Sequence, residues 1–264
     1  MHILDKIVAR KKEENKERKE LYPTALLEKS PFMKSPTVSF SEYIKRPDKS
    51  GIIAEFKRKS PSKPKINLYA DVEEVTLGYM QAGASALSVL TDTDFFGGSC
   101  KDLAVARKFN YCPILRKDFI IDEYQIVEAR SCGADAILLI SEILDKEEVG
   151  RLSQFAQNLG MEVLLELHSE KQLEKISDTI DVIGVNNRDL TIFKTDIQFS
   201  LDLISQLPTD KVKISESGIK SPEDIILLKQ AGYDGFLIGE RFMTQPHPGS
   251  ACLDFIKEIN DLQS

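Results

Sequence analysis

IIAEFK, residues 52–57, carries the reading of the fold. Its apolar body suits a strand covered on both faces, yet Glu55 and Lys57 stand at its C-terminal end. The same design recurs in PILRK (113–117), VLLEL (163–167) and VKISE (212–216). In a barrel of parallel strands the C-terminal ends form the mouth where active sites are built. Charges gathered at that end therefore read as chemistry rather than solvation.

Working outward, eight such runs follow one another at 52–57, 86–90, 113–117, 136–140, 163–167, 182–186, 212–216 and 235–239. The segments between them mostly carry helical periodicity, as with Tyr124, Val127, Glu128 and Ala129 after the third run. Near-continuous hydrophobic runs denote parallel strands buried on both faces, and eight βα repeats predict an α/β fold closed as a (β/α)8 TIM barrel. Gly83, Gly133 and Gly232 stand just before strands, where helices need left-handed C-terminal caps. A barrel takes about 250 residues, and this chain of 264 supplies one plus an N-terminal helical extension. The division predicted is 1–47 for the extension, packing on the barrel, and 48–264 for the catalytic barrel. Within the extension an apolar stripe at Ile3, Leu4, Ile7 and Val8 leads into KKEENKERKE, residues 11–20, which reads as an exposed helical face.

The net charge of −7 and a pI near 5.2 disfavour nucleic acid and anionic membrane as partners, since both call for a basic surface. A small anion needs only a local cluster of cations, and Lys57, Lys59, Lys63, Lys117 and Arg188 fall at or just past strand ends. Cys100, Cys112, Cys132 and Cys252 lack C-x-x-C spacing, as expected of reduced thiols in the cytoplasm. His2, His168 and His247 are too scattered for a metal site, so no metal is expected. No signal peptide fits, and no apolar segment approaches the roughly 18 residues of a membrane span. A soluble protein is the expectation.

Period-two geometry places Glu55 and Lys57 on the same strand face as Ile53, Lys117 with Leu115, and Glu166 with Leu164. It also aligns Asn186 and Arg188 with Gly184, and Glu216 with Ile214, while turning Arg116 toward the helices. One of these charges alone would suit a rim salt bridge. Seven ionisable or amide groups converging on one cavity would cost several kcal/mol per unpaired ion, which packing does not return. After the last two strands, Ser217, Gly218 and Gly239 fall where barrels bind phosphate through backbone N–H groups, or where tight turns need glycine.

The ordered motifs IIAEFKRKSPSKP, LSVLTDTDFFGGS, PILRKDFIIDEYQIVEARSCGADAILLI, LGMEVLLELH, IGVNNRDL, ISESGI and FLIGERFM, with SFSEYIK in the arm, resemble the indole-3-glycerol phosphate synthase family. The resemblance implies a carboxy-lyase of tryptophan biosynthesis. Its substrate is 1-(2-carboxyphenylamino)-1-deoxyribulose 5-phosphate, closed by decarboxylation and dehydration to indole-3-glycerol phosphate, with no cofactor. It makes Lys117 an acid toward the ketone oxygen, Glu166 a base or electrostatic stabiliser, Glu55 with Lys57 a second acid/base pair, and Asn186 with Glu216 orienting groups. It sets Lys57, Ser60 and Arg188 near the anionic groups, and Phe96 with Pro61 against the aromatic ring. Phosphate falls to the backbone of Gly218, Gly239 and Glu240, the Glu240 side chain turning away from the dianion. Ser217 donates to phosphate or to its own backbone. The loop from Arg58 to Asn67, long, basic and proline-spaced, either closes over the ligand or carries its lysines for ordinary loop solubility. Association with other tryptophan-pathway enzymes stays open.

Competing readings give different chemistry. His168 shares the Glu166 face and is a base or, as its place past the strand end favours, a rim residue. Asp92 and Asp94 suit catalysis or loop capping. A binding-only barrel would show eroded strand-end acids and bases, and these are intact. A Schiff-base aldolase would use Lys117 or Lys57 as nucleophile. Borohydride added during turnover of the carboxyphenylamino substrate is expected to leave no reduced lysine adduct, read by intact-mass spectrometry; a stable adduct would favour the aldolase.

Overall fold

The computed structural model describes residues 3–188 and 194–263. His2, and Asp189 and Leu190 of the IGVNNRDL motif, lie outside the described residues. Eight parallel strands close into a barrel in sequence order: β1 (Ile52–Phe56), β2 (Ala86–Leu90), β3 (Ile114–Lys117), β4 (Ala136–Ile140), β5 (Glu162–Leu167), β6 (Val182–Asn186), β7 (Val212–Glu216) and β8 (Gly235–Ile238). Closure is completed by pairing of β1 with β8, Ile53 opposite Leu237. The (β/α)8 expectation holds, each strand lying within a residue of its run.

Alternation along the strands sorts the apolar side chains into two cores. Ile53, Ala86, Leu115, Leu138, Leu164 and Ile214 face inward, while Ala54, Phe56, Val89, Ile137 and Leu165 pack outward against the helices. The outer ring comprises α4 (Val72–Gln81), α5 (Cys100–Phe109), α6 (Glu123–Ser131), α7 (Lys146–Asn158), α8 (Gln198–Leu203), α9 (Pro222–Ala231), the short α10 (Glu240–Met243) and α11 (Pro248–Gln263). Side chains cap several of these: Asp71 accepts from the Glu74 amide, Ser99 from Asp102, and Asp145 with Glu148 forms a capping box. Gly83, Gly133 and Gly232 adopt positive φ as the caps required. Between β5 and β6 the connection is a 3-10 segment, Glu170–Lys175, in place of an α-helix.

The N-terminal segment reaches both ends of the barrel. Helices α1 (Ile3–Leu21), α2 (Thr24–Leu27) and α3 (Phe40–Lys45) precede β1. Leu4 and Ile7 of α1 and Phe40 and Ile44 of α3 are buried in the same inner core as the strand interiors. A Cβ built on Gly235, the first residue of β8, would meet Ile44 at 2.7 Å, which sets α3 at the end of the barrel where strands begin. Arg116 turns outward as expected and is held by Glu128 and Asp118. The wholly exposed face read for residues 11–20 is corrected: Lys11 and Asn15 are 1% and 6% exposed. Their spacing of four puts both on one side of α1, and buried partners compensate them there.

Truncating Ile44→Ala removes a side chain that seals the base of the inner core. It is expected to lower unfolding free energy by about 2–5 kcal/mol, measured by urea denaturation; a loss within experimental error would show that α3 does not close the core.

Candidate active site

Four ionisable side chains from alternate strands meet at the C-terminal mouth: Glu55 from β1, Lys117 from β3, Glu166 from β5 and Glu216 from β7. Inward residues of alternate strands share a layer in such barrels, so the uppermost layer is ionic where those below it are apolar. The Lys117 ammonium donates to Glu166 Oε2 at 2.9 Å and to Glu216 Oε2 at 2.5 Å. Lys57 Nζ donates to Glu55 Oε1 at 2.5 Å. All lie in a cavity of about 550 Å³, the size that holds a small-molecule ligand.

Glycine makes room for this layer. A Cβ at Gly184 of β6 would stand 2.2 Å from Glu216 Oε1, and one at Gly239 would stand 2.6 Å from Glu55 Oε1. Each carboxylate thus occupies space that any other residue would fill. After β7 the chain turns through Ser217 at φ 65° and Gly218 at φ 73°. Left-handed backbone is costly for serine, so this turn is held by its surroundings: Asn187 Nδ2 donates to the Ser217 carbonyl at 3.0 Å.

Burial and charge set the protonation states. Burial works against the Lys117 ammonium, but Glu166, Glu216 and Glu55 outweigh it and raise its pKa, so the lysine stays charged. Burial likewise works against the Glu166 carboxylate, and Lys117 with His168 overcomes it, holding Glu166 well below the usual carboxylate range. For Glu216 burial wins: despite Lys117, and with Glu166 adding repulsion, its pKa is pushed up to about 8. The environment thus favours an ammonium on Lys117, a carboxylate on Glu166 and a proton on Glu216.

His168 proves to belong to the cavity instead of its rim. Its side chain is 7% exposed, and Nε2 lies 2.8 Å from Glu166 Oε1. Burial depresses its pKa, the Glu166 bond restores it, and the net shift is upward. Among the described residues four buried side-chain polar atoms lack a hydrogen-bond partner, and those on His168, Arg188 and Glu216 are all at this cavity.

Every site residue that the family resemblance assigned lines this one cavity, whereas Lys59, Asp92 and Asp94 do not: Lys59 Nζ donates to the Asp94 carbonyl at 2.8 Å and the Asp94 carboxylate pairs with Arg10. Asn186 Oδ1 accepts from the Arg188 amide at 3.0 Å, which folds the chain end of β6 over the mouth. Arg188 Nη1 reaches Ser62 Oγ at 2.9 Å, tying that end to the loop after β1. Ser60 and Lys63 close a tight turn in this loop, with Pro61 between them. Glu240 Oε1 takes the Lys63 ammonium at 3.1 Å and Oε2 lies 4.0 Å from Arg188. The carboxylate stays at the mouth because two cations are there to hold it.

Sequence reasoning left the apolar lining incomplete. Phe119 packs its ring 5.8 Å from that of Phe96, and Leu138, Ile140, Ile3, Leu4 and Ile7 complete that side. Period-two counting from Lys117 would have found Phe119, and counting along β4 the other two. The α1 residues gave only a stripe, with no sign of where it docks. Asp92 is structural: Oδ1 accepts from the Phe95 and Phe96 amides at 2.7 and 3.1 Å. Among the described residues no cluster of His, Cys, Asp or Glu could hold a metal ion, and no helix is long and apolar enough to cross a membrane.

A closed barrel with acid–base groups layered in its C-terminal mouth is the architecture of an enzyme. The chain's relatives narrow this. The family model for indole-3-glycerol phosphate synthase matches residues 4–254. The indole-3-glycerol phosphate synthase of Bacteroides thetaiotaomicron is 54% identical over 210 residues, 80% of this chain and 81% of that protein. That of Campylobacter jejuni is 42% identical over 254 residues, 94% of this chain and 98% of its own. Thiamine phosphate pyrophosphorylase from Pyrococcus furiosus shares the fold alone, at a TM-score of 0.62 and 13% identity over 86% of this chain and 100% of that one. This chain belongs to the indole-3-glycerol phosphate synthase family.

The proton on Glu216 has a thermodynamic signature. Between the ordinary carboxyl value of 4.5 and about 8 the folded state binds a proton the unfolded state has lost. The contribution of Glu216 to stability therefore falls as pH rises through that window. Glu216→Gln removes this slope, so its stability relative to wild type is expected to rise from pH 5 to pH 8, by at most about 1.4 kcal/mol per pH unit. Urea unfolding at several pH values reads the difference, and a pH-independent difference would count against a neutral Glu216.

Proposed function

We propose that this cavity closes the indole ring: it converts 1-(2-carboxyphenylamino)-1-deoxyribulose 5-phosphate to indole-3-glycerol phosphate, carbon dioxide and water, as a carboxy-lyase of tryptophan biosynthesis. The observation that carries the reading is Lys117 bonded at once to Glu166 and Glu216 in a cavity that also holds the Ser217–Gly218 turn and Gly239. Acid–base groups and an anion seat are thereby offered to one small molecule.

The reaction joins the ring carbon bearing the carboxylate to the C2 ketone carbon. As that bond forms, the ketone π pair moves to oxygen, and a charged Lys117 opposes the growing alkoxide and donates to it. Loss of carbon dioxide returns its bonding pair to the ring. The new hydroxyl then leaves as water and a proton departs to restore aromaticity. Those last steps need an acid and a base at once. Glu166, held ionised, is the base or stabiliser; Glu55 with Lys57 forms the second acid/base pair, and Asn186 with Glu216, whose Oε2 accepts from Lys117, orients the reacting groups.

Binding follows the same division. Phe96 and Pro61, joined by Phe119 and the α1 residues, face the aromatic ring. Lys57, Ser60 and Arg188 serve the anionic groups, and Ser217, Gly218, Gly239 and Glu240 present backbone to the phosphate. Residues 1–47 act as an extension that roofs and underpins a catalytic barrel over 48–264. The four free thiols suit work in the cytoplasm beside other enzymes of the pathway.

Indole fluorescence on mixing with the carboxyphenylamino substrate tests the activity, against a background kept low because the chain has no Trp. Lys117→Ala is expected to cut kcat by about 10³-fold or more while inorganic phosphate still binds. Unchanged turnover would remove Lys117 from the mechanism.

A further inference from the structure

We propose that Lys11 is a positioning residue for the aromatic end of the cavity, its ammonium locking the helix that roofs this end to the two loops that wall it. The inference rests on the functional reading above. In a ten-residue run made almost wholly of charged side chains, Lys11 is 1% exposed. Its Nζ lies 2.8 Å from Glu14 Oε2, 3.0 Å from Asp92 Oδ2 and 3.0 Å from Asp118 Oδ1. Neither aspartate is an idle counter-ion. Asp92 holds the Phe95 and Phe96 amides in the loop after β2. Asp118 Oδ1 accepts from the Phe119 amide at 2.8 Å in the loop after β3, while Oδ2 accepts from Thr91 Oγ1 at 2.5 Å and Arg116 at 3.0 Å.

One ammonium thus joins the anchors of Phe96 and Phe119, the two rings that face each other at the cavity. One turn further along α1, Asn15 Nδ2 donates to Gln125 Oε1 at 3.0 Å, and Gln125 Nε2 donates to the Phe119 carbonyl at 2.9 Å. One turn earlier, on the same face, Ile7 lines the cavity with Ile3 and Leu4. Roof and walls share a single buried polar seam. A dry ammonium among carboxylates cannot shift without leaving charge uncompensated, so these three elements hold one arrangement. The seam touches the aromatic side and leaves the Ser217–Gly218 turn and Gly239 to other elements, which separates its effect from phosphate binding.

Steady-state kinetics with the carboxyphenylamino substrate, with inorganic phosphate as competitor, tests this in wild type, Lys11→Met and Lys11→Arg. Lys11→Met is expected to raise KM about ten-fold, keep kcat within about three-fold, and leave inhibition by phosphate unchanged. Lys11→Arg, which keeps the charge, is expected to recover most of the KM. An active wild type whose Lys11→Met variant keeps its KM overturns the inference alone. So does a variant that loses kcat and phosphate inhibition together, which marks general loosening. A wild type without turnover overturns the functional reading and this inference with it. Where Lys11→Met yields no folded protein, Asp92→Asn keeps an oxygen for the Phe95 and Phe96 amides and discharges one partner; KM raised about three-fold supports the inference and an unchanged KM overturns it.

Discussion

A single ammonium between two buried carboxylates is the constraint around which the mouth of this barrel is arranged. Lys117 cannot leave without stranding an ionised Glu166 in a low-dielectric environment, and the two glutamates cannot both ionise beside each other without it. The barrel answers with backbone placement. Alternate strands bring the charges to one level, Gly184 yields its side-chain volume to Glu216, and Gly239 yields its own to Glu55. The result is a set of protons distributed by environment: one carboxyl kept neutral by burial, its neighbour kept ionised by a lysine and a histidine. Two like groups pushed apart in this way can take opposite parts in one reaction cycle.

The N-terminal segment repeats that logic outside the strands. Its helix α1 could have packed by apolar contact alone, through Leu4 and Ile7. It also buries a lysine and an asparagine, each satisfied by a residue that supports the aromatic wall. Apolar contact gives adhesion without a preferred register, whereas a fixed ammonium allows one seating only. At the opposite end α3 closes the core with Phe40 and Ile44, and its N-terminus is likewise fixed by polar contacts, Ser39 Oγ and the Ser41 amide donating to the Glu162 carboxylate at 2.5 and 2.7 Å.

Much of this was legible in the chain because barrel strands obey simple rules. Apolar runs buried on both faces mark all eight strands, and period-two counting from Ile53, Leu164 and Ile214 points Glu55, Glu166 and Glu216 inward. The same counting turned Arg116 outward to Glu128 and Asp118. What stayed hidden depends on contacts between distant segments. Lys11 sits in a run whose composition says solvent, and only the aspartates after β2 and β3 draw it inward. His168 lies past the end of β5, where strand periodicity stops being a guide, and its bond to Glu166 decides its place. The protonation of Glu216 was equally unreadable, since burial and two neighbouring charges oppose one another there.

Glu240 carries a wider consequence. Its carboxylate, resting against Lys63 and within reach of Arg188, means that the cations at the mouth are already balanced before any ligand arrives. Under the proposed function an incoming dianion would exchange with an internal anion rather than neutralise a bare positive cluster. In a protein of net charge −7, such an exchange forgoes long-range attraction, so encounter is governed by shape and diffusion more than by the field. In that proposed cycle the same carboxylate would reclaim its partners when product departs, trading tight holding for ease of turnover.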